Sequence, residues 1–335
     1  MMIEHGRSPS HFPATQREKG IMESCFPTDR SPARKLHALV LMLAAAATPA
    51  WAGSRAAAQE GDDCATHDRN RQECSPGTEA PTPEALAQVI RSGVPAALES
   101  ALEYGERVEC AECMPLLEAN LLDAADPDVR RMSAWWLRRR GLTVGAVVRR
   151  MRQALDGDPD PVRRARAALA LGELMASRAV PTLADAAAAD VEAPVRAAAV
   201  RALGRMNHPD AGPVVSAALE DADPAVRLAA ADQVLVLSFF QGDDALLALL
   251  ADVDPVLRRR GARLLADRGV MEAVPPLVAL LEADPEPSVR QAAAWALGRL
   301  GTPEARSALD ARSQVESHPR VRDALRVARL MPAGL

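Results

Sequence analysis

Asp223-Pro224-Ala225-Val226-Arg227, followed by the Ala-rich run Leu228-Ala229-Ala230-Ala231, is the stretch whose reading decides the fold. Altered copies of it centre on Val129-Arg130, Val162-Arg163, Val195-Arg196, Leu257-Arg258, Val289-Arg290 and Val321-Arg322. Successive copies lie 33, 33, 31, 31, 32 and 32 residues apart. A chain that repeats itself at such a period builds a solenoid, in which each unit buries its apolar face against its neighbours.

Each member of the phrase has a physical reason. Asp accepts hydrogen bonds from the free N–H groups of a helix's first turn, which typically stabilises by about 1 kcal/mol. Pro at the first helical position lacks an N–H that would have been unpaired anyway. Val or Leu begins a buried stripe that continues through Ala to Leu, as in Val195, Ala199, Leu203 and in Val289, Ala293, Leu297. Gly204 and Gly298 are expected to end their helices in a left-handed cap. Arg is the odd member, because a cation near a helix N-terminus opposes the helix dipole. The expected compensation is a ladder in which each Arg reaches the capping acid of the next repeat, across helices about 8–10 Å apart. Its expected members are Asp126, Arg130, Asp223, Arg227, Asp254, Arg258, Arg290 and Arg322. The second copy, Asp158-Pro159-Asp160-Pro161-Val162, leaves its register open by one residue; Glu192 is the acid of the third, and His318 stands in its place in the seventh.

Before each phrase lies a second apolar segment at helical spacing, near Met114–Leu122, Val144–Leu155, Val180–Ala188, Pro213–Leu219, Asp244–Leu250, Val274–Leu281 and Pro303–Leu309. No segment alternates with period two, so an all-α chain is expected. Two helices lacking the phrase, starting at Pro83 behind Thr82 and at Val94, suit a cap over the open end of the stack. Residues 83–109 are therefore read as an N-terminal helical cap and 110–335 as the solenoid.

Ahead of these, 1–52 reads as a targeting segment. Arg30, Arg34 and Lys35 precede the apolar run Leu36–Ala47, and Ala50-Trp51-Ala52 offers a signal-peptidase site. The run is shorter than the about 20 residues a membrane span needs, so no stable span is expected after cleavage. A start at Met22 would give a signal peptide of more usual length, with residues 1–21 as an extension. Cleavage after Ala52 removes six basic and four acidic residues, taking the net charge from −5 to −7. That balance argues against a nucleic-acid surface spread over the chain. Periplasmic or secreted localisation follows as the expectation. Residues 53–82 form a polar arm by composition. Cys64, Cys74, Cys110 and Cys113 remain in the mature chain and, in an oxidising compartment, are candidates for one or two disulfides of open connectivity.

Asp-Pro-x-Val-Arg-x-x-Ala-Ala-x-Ala-Leu-Gly, nearly complete from Val289 to Gly298, resembles the short bacterial HEAT repeat, also called the phycobilisome-lyase-like HEAT repeat. The resemblance covers roughly Cys110 to Leu330. It implies a right-handed α-superhelix of about seven HEAT-like helix pairs whose second helices line a concave face, a protein-binding scaffold. Deoxyhypusine hydroxylase has a similar architecture but needs His-Glu pairs as iron ligands, and this sequence has no His-Glu dipeptide. Bilin lyases share the repeat, and an exported protein does not suit that activity.

Binding is best sought at the variable positions of the second helices. Six residues after the Val or Leu stand Trp135, Arg201, Asp232, Arg263 and Trp295, and two after it stand Arg131, Arg164, Arg259 and Gln291. Trp and Arg predominate at interaction hot spots. The plainer reading is that a Trp packs in the core and the Arg residues form a solvated face. Phe239 and Phe240 are read as a buried contact between repeats, with an exposed apolar patch as the alternative. Cys110-Ala111-Glu112-Cys113 could act in thiol exchange, or with Cys64, His67 and Cys74 hold a metal; Met114 stands where haem attachment needs His. Structural disulfides are the plainer reading. No catalytic constellation, metal or cofactor is assigned. The expected function is a non-catalytic extracytoplasmic scaffold binding a protein or peptide in its groove. A thiol-redox or metal-binding protein, or an enzyme related to HEAT-repeat lyases or hydroxylases, is the alternative.

Overall fold

The structure, a computed structural model, describes residues 81–105 and 108–332. The targeting segment, the arm to residue 80, Cys64, His67 and Cys74 lie outside the described residues. Those described form 16 α-helices joined by turns and short 3-10 segments, with no strand among them. The first pair is α1 (Pro83–Ser92) and α2 (Pro95–Tyr104). Seven further pairs follow: α3 (Cys113–Asp123) with α4 (Pro127–Arg138), α5 (Gly141–Gly157) with α6 (Pro161–Glu173), and α7 (Val180–Ala189) with α8 (Ala193–Met206). Then come α9 (Ala211–Ala218) with α10 (Pro224–Gln233), α11 (Asp243–Ala248) with α12 (Pro255–Arg268), α13 (Val274–Ala283) with α14 (Pro287–Leu300), and α15 (Pro303–Val315) with α16 (Pro319–Ala328).

The helices form two layers. Each second helix packs on the second helix of the next repeat, from α6 against α8 through to α14 against α16, and first helices stack likewise from α5 to α15. The pair α1 and α2 packs on α3 and α4 respectively, so it continues both layers. This is an α-solenoid, with its core spread along the interface between layers. Val195, Ala199, Leu203, Val289, Ala293 and Leu297 are all fully buried, which is the expected stripe.

Helix starts follow the phrase. Asp126, Asp160, Asp223 and Asp254 each accept the backbone N–H two residues on, at 2.7–2.8 Å. Thr82 caps α1 in the same sense. Glu192, Glu286 and His318 stand at the N-cap position without a side-chain hydrogen bond, so those starts rest on Pro and on packing.

The glycines differ from expectation. The left-handed residues closing α8 and α14 are Asn207 and Gly301, not Gly204 and Gly298. Gly204 and Gly298 lie inside their helices, where the next repeat approaches too closely for a side chain. A Cβ on Gly298 would stand 2.7–2.8 Å from Cα and Cβ of Ala328, and one on Gly172 would meet Ala202 Cα at 2.8 Å. Gly145, in the exposed middle of α5, has nothing within 4 Å. Gly145→Ala is therefore expected to raise stability by about 0.5–1 kcal/mol through helix propensity. Gly298→Ala should lower it by about 1–2 kcal/mol because overpacking outweighs the same gain. Urea unfolding midpoints shifting the same way in both variants would contradict this.

The arginine ladder runs inside the turns. Arg196 holds Asp221 through Nε and Nη2 at 2.8 Å each, and Arg227 holds Asp252 at 2.7 and 2.9 Å. Arg164–Asp190, Arg258–Asp284 and Arg290–Glu316 repeat the two-pronged geometry at 2.7–3.2 Å. The third nitrogen, Nη1, donates to a backbone carbonyl six residues back, as from Arg227 to Asp221 at 2.8 Å. Both partners of every pair have side chains at most 15% exposed. Such bidentate, charge-assisted pairs in partial burial are the strong kind.

Three expectations about the ladder are corrected. Its acids are not the capping acids: Asp223 and Asp254 cap their helices, and the ladder acid stands two residues earlier, where it also accepts the N–H of the capping residue. The divided labour has a steric reason, since an acid bonded to its own helix's first turn cannot also face the preceding repeat. In the second copy the helix starts at the second Asp-Pro. Arg164 is therefore the ladder arginine and does not belong to the binding face, while Arg163 reaches Asp158 and Asp123. Finally, Arg130 and Arg322 make no ion pair among the described residues. Arg130 donates to the carbonyls of Ala124 and Ala125, and burial together with nearby Arg166 pushes its pKa down. Arg163 takes the acid that Arg130 would have used. Arg322 is exposed on α16, the last described helix.

Candidate functional site: the second-helix face

Once the ladder has placed Val and Arg inward, the helical period brings the residues five and nine after the N-cap to one side of α4, α6, α8, α10, α12, α14 and α16, where all but the buried Ala197 are at least partly exposed. The register puts Arg131, Trp135, Arg201, Asp232, Arg259, Arg263, Gln291 and Trp295 on this one face, and they gather mainly at its two ends.

At the N-terminal end Arg131 and Trp135 line a depression of about 490 Å³ with Glu99, Glu103, Arg138 and Glu173. Trp135 is half-buried, and the Arg139 guanidinium lies 4.0 Å from its ring centroid. Its neighbour Trp136 is the Trp that packs in the core, at 1% exposure. Charges here are largely matched: Arg131 pairs with Asp128 at 2.8 Å, and Arg205 with Glu173 at 2.6 Å. Burial pushes the Glu173 carboxyl up, against the opposing pull of Arg205 and Arg131.

At the C-terminal end Arg263, Gln291 and Trp295 line a depression of about 350 Å³ with Arg320, Asp323 and Val327. Trp295 is half-buried, with Arg299 5.6 Å from its ring centroid, and Arg299 pairs with Asp267 at 3.4 Å. Asp323 pairs with Arg326 at 3.3 Å. Arg263 and Arg320 have no hydrogen bond or ion pair among the described residues, and neither have Arg201 and Arg259 on the same face. Asp232 is bound by Arg260 at 2.6 Å, so it is a partner for a cation of the face. Reading the variable position of each copy found most of these side chains. Val327 holds the same variable position in the last copy, six residues after Val321, whereas Arg320 precedes Val321 and belongs to neither variable position, so the spacing does not point to it.

The cysteine candidates behave differently. Cys110 and Cys113 form a disulfide at the start of α3, with exposures of 5% and 0%. Among the described residues no group of three or more His, Cys, Asp or Glu could hold a metal ion, and no helix is long and apolar enough to cross a membrane. Phe240 is buried against Arg268, whereas Phe239 is 52% exposed, so only one of the pair makes the expected contact.

The family model for HEAT repeats matches residues 114–200, 180–241 and 243–328. No curated protein matches the chain. Among solved structures, the Escherichia coli protein YibA is 16% identical with a TM-score of 0.50, covering 73% of this chain and 91% of its own. The karyopherin Kap121p, bound to the extreme C-terminus of the protein phosphatase Cdc14p, is 13% identical with a TM-score of 0.52, covering 72% of this chain and 32% of its own. The CpcE–CpcF phycocyanin lyase complex of Nostoc sp. PCC7120 gives 23% identity and a TM-score of 0.33, covering 78% of this chain and 99% of its own. With three matched segments spanning most of the described solenoid, the chain belongs to the HEAT-repeat family.

Proposed function

We propose that the protein is a non-catalytic, extracytoplasmic scaffold that binds a protein or peptide partner along its second-helix face. One contrast carries this reading. Five ladder arginines are locked in bidentate pairs, while Arg201, Arg259 and Arg263, on the second-helix face of α8 and α12, have no hydrogen bond or ion pair among the described residues. Arg263 stands beside the half-buried ring of Trp295 and Arg131 beside that of Trp135, and Trp with Arg is the composition of an interface anchor. Solenoids commonly use an extended face in this way. The basic and apolar pattern of residues 30–52 supports export, and a disulfide suits an oxidising compartment. Burial of both Cys110 and Cys113 counts against thiol exchange, since an attacking thiolate must reach a sulfur atom.

Photo-crosslinking in the envelope fraction tests the proposal. A benzoylphenylalanine at Gln291, on the second-helix face, is expected to trap discrete protein adducts. The same group at Ala188, exposed in the first-helix layer, should trap none. Equal labelling from both positions, or none from Gln291, overturns the reading.

A further inference from the structure

The two ends of the second-helix face differ in charge, and the difference narrows the partner. At the N-terminal depression Glu99, Glu103 and Glu173 balance Arg131, Arg138 and Arg205. At the C-terminal depression Asp323 is engaged by Arg326 and Asp267 by Arg299, which leaves Arg263 and Arg320 uncompensated beside Trp295 and Val327. The uncompensated cations continue toward the middle of the solenoid as Arg259 on α12 and Arg201 on α8. Trp295 on α14 lies between Arg263 and Arg320, and half-buried Leu228 on α10 lies between Arg201 and Arg259.

We propose, building on the function above, that this C-terminal half of the face takes an extended acidic peptide segment of a partner protein, with carboxylates on Arg201, Arg259/Arg263 and Arg320 and apolar side chains on Leu228 and Trp295. Spacing sets its pattern. Helices two apart in the layer stand about 16–20 Å from each other, which an extended chain crosses in about 5–6 residues. The segment is then about 12–13 residues long, with an acid at each end and in the middle and an apolar residue halfway between acids. A single small anion would meet only one of the cations. A nucleic-acid strand has a phosphate at every step, so most of its phosphates would fall in the gaps between these widely spaced cations. A peptide can place neutral residues there.

The test uses the full mature chain and a fluorescein-labelled 13-residue peptide with Glu at positions 1, 7 and 13, Leu at 4, Phe at 10 and Ser or Gly elsewhere. Fluorescence anisotropy should show saturable binding that weakens at least tenfold in Arg263→Glu/Arg320→Glu and in Trp295→Ala, and that weakens with salt. Arg263 and Arg320 are exposed and Trp295 is half-buried, so circular dichroism of each variant checks that it is folded before its binding is read. A same-composition peptide with its three Glu residues adjacent should bind at least tenfold more weakly, and a Lys version should not bind. Equal binding of the rearranged peptide, wild-type binding by the double variant, no binding of the probe, or tighter binding of a 12-nucleotide oligothymidylate each overturns the inference. If the probe fails while Gln291 still crosslinks a partner, this inference falls and the scaffold reading stands. If Gln291 crosslinks nothing, the scaffold reading itself falls.

Discussion

Replacing Arg258 by alanine is expected to lower the unfolding free energy by about 3–5 kcal/mol, the range for breaking a buried pair by removing one partner. The cost comes from what is left behind. Asp284 has a side chain only 2% exposed, and without Arg258 its charge keeps a single backbone N–H, that of Glu286, as a hydrogen-bond donor. The carbonyl of Asp252 loses a donor in the same step. The double variant Arg258→Ala/Asp284→Ala should recover part of the loss, because no stranded carboxylate remains. Chemical denaturation of both variants reads the difference. A single variant no less stable than the double one would mean that the pair contributes packing and little electrostatics.

Acidification should act most strongly at Glu316. Burial by itself pushes this carboxyl up, but hydrogen bonds from Arg290, the His318 backbone N–H and Arg312 outweigh it and hold the pKa at about 2, against an ordinary 4.5. A carboxyl depressed on folding contributes stability that is complete above the unfolded value and is lost as pH falls toward the folded one. The window is therefore pH 4.5 down to about 2, and the loss from this group is about 3 kcal/mol. Asp190 and Asp221 act in the same direction. For each, the hydrogen bond from its arginine, Arg164 or Arg196, is the main cause of the lowered pKa. Glu316→Gln should start less stable at neutral pH and lose less on acidification, so the two unfolding curves converge near pH 2. Curves that stay parallel would remove Glu316 as the main acid-sensitive point.

The solenoid was legible because its period and its helix starts are written in short-range chemistry. Asp-Pro at a helix start and Val followed by Ala at helical spacing are local signals, and enough copies keep them for the period to show although Glu192, Glu286 and His318 stand in place of the Asp. The ladder was half legible. Its arginine stands out in sequence, but its acid lies 25–26 residues away and two before the N-cap residue, which in four of the five clamps is itself a more conspicuous acid. The pattern Asp221-Ala222-Asp223, repeated as Asp252-Val253-Asp254, held the missing information. The first acid serves the preceding repeat and the second serves its own helix. The doubled Asp158-Pro159-Asp160-Pro161 hid which Pro begins α6, and this sent Arg164 to the wrong face. Gly204 and Gly298 were misread for a related reason. A glycine needed for backbone freedom and one needed for close approach look alike until the neighbouring helix is in place.

The face itself was found by elimination. Positions used for capping, stacking and the ladder are nearly constant between copies, so the variable ones had to face solvent. Which of them carry uncompensated charge depends on partners from other helices, such as Arg260 beside Asp232, and no spacing rule supplies those.

The ladder also sets how far disturbance can travel. Each clamp joins one repeat only to the next, and its acid's own backbone carbonyl receives the following arginine, so neighbouring units are coupled in series. Among the described residues the series runs from Arg164 to Glu316. Strain at one clamp therefore reaches the next along an unbroken line of arginines and acids, and Arg263 on α12 and Trp295 on α14 stand on helices that this line holds.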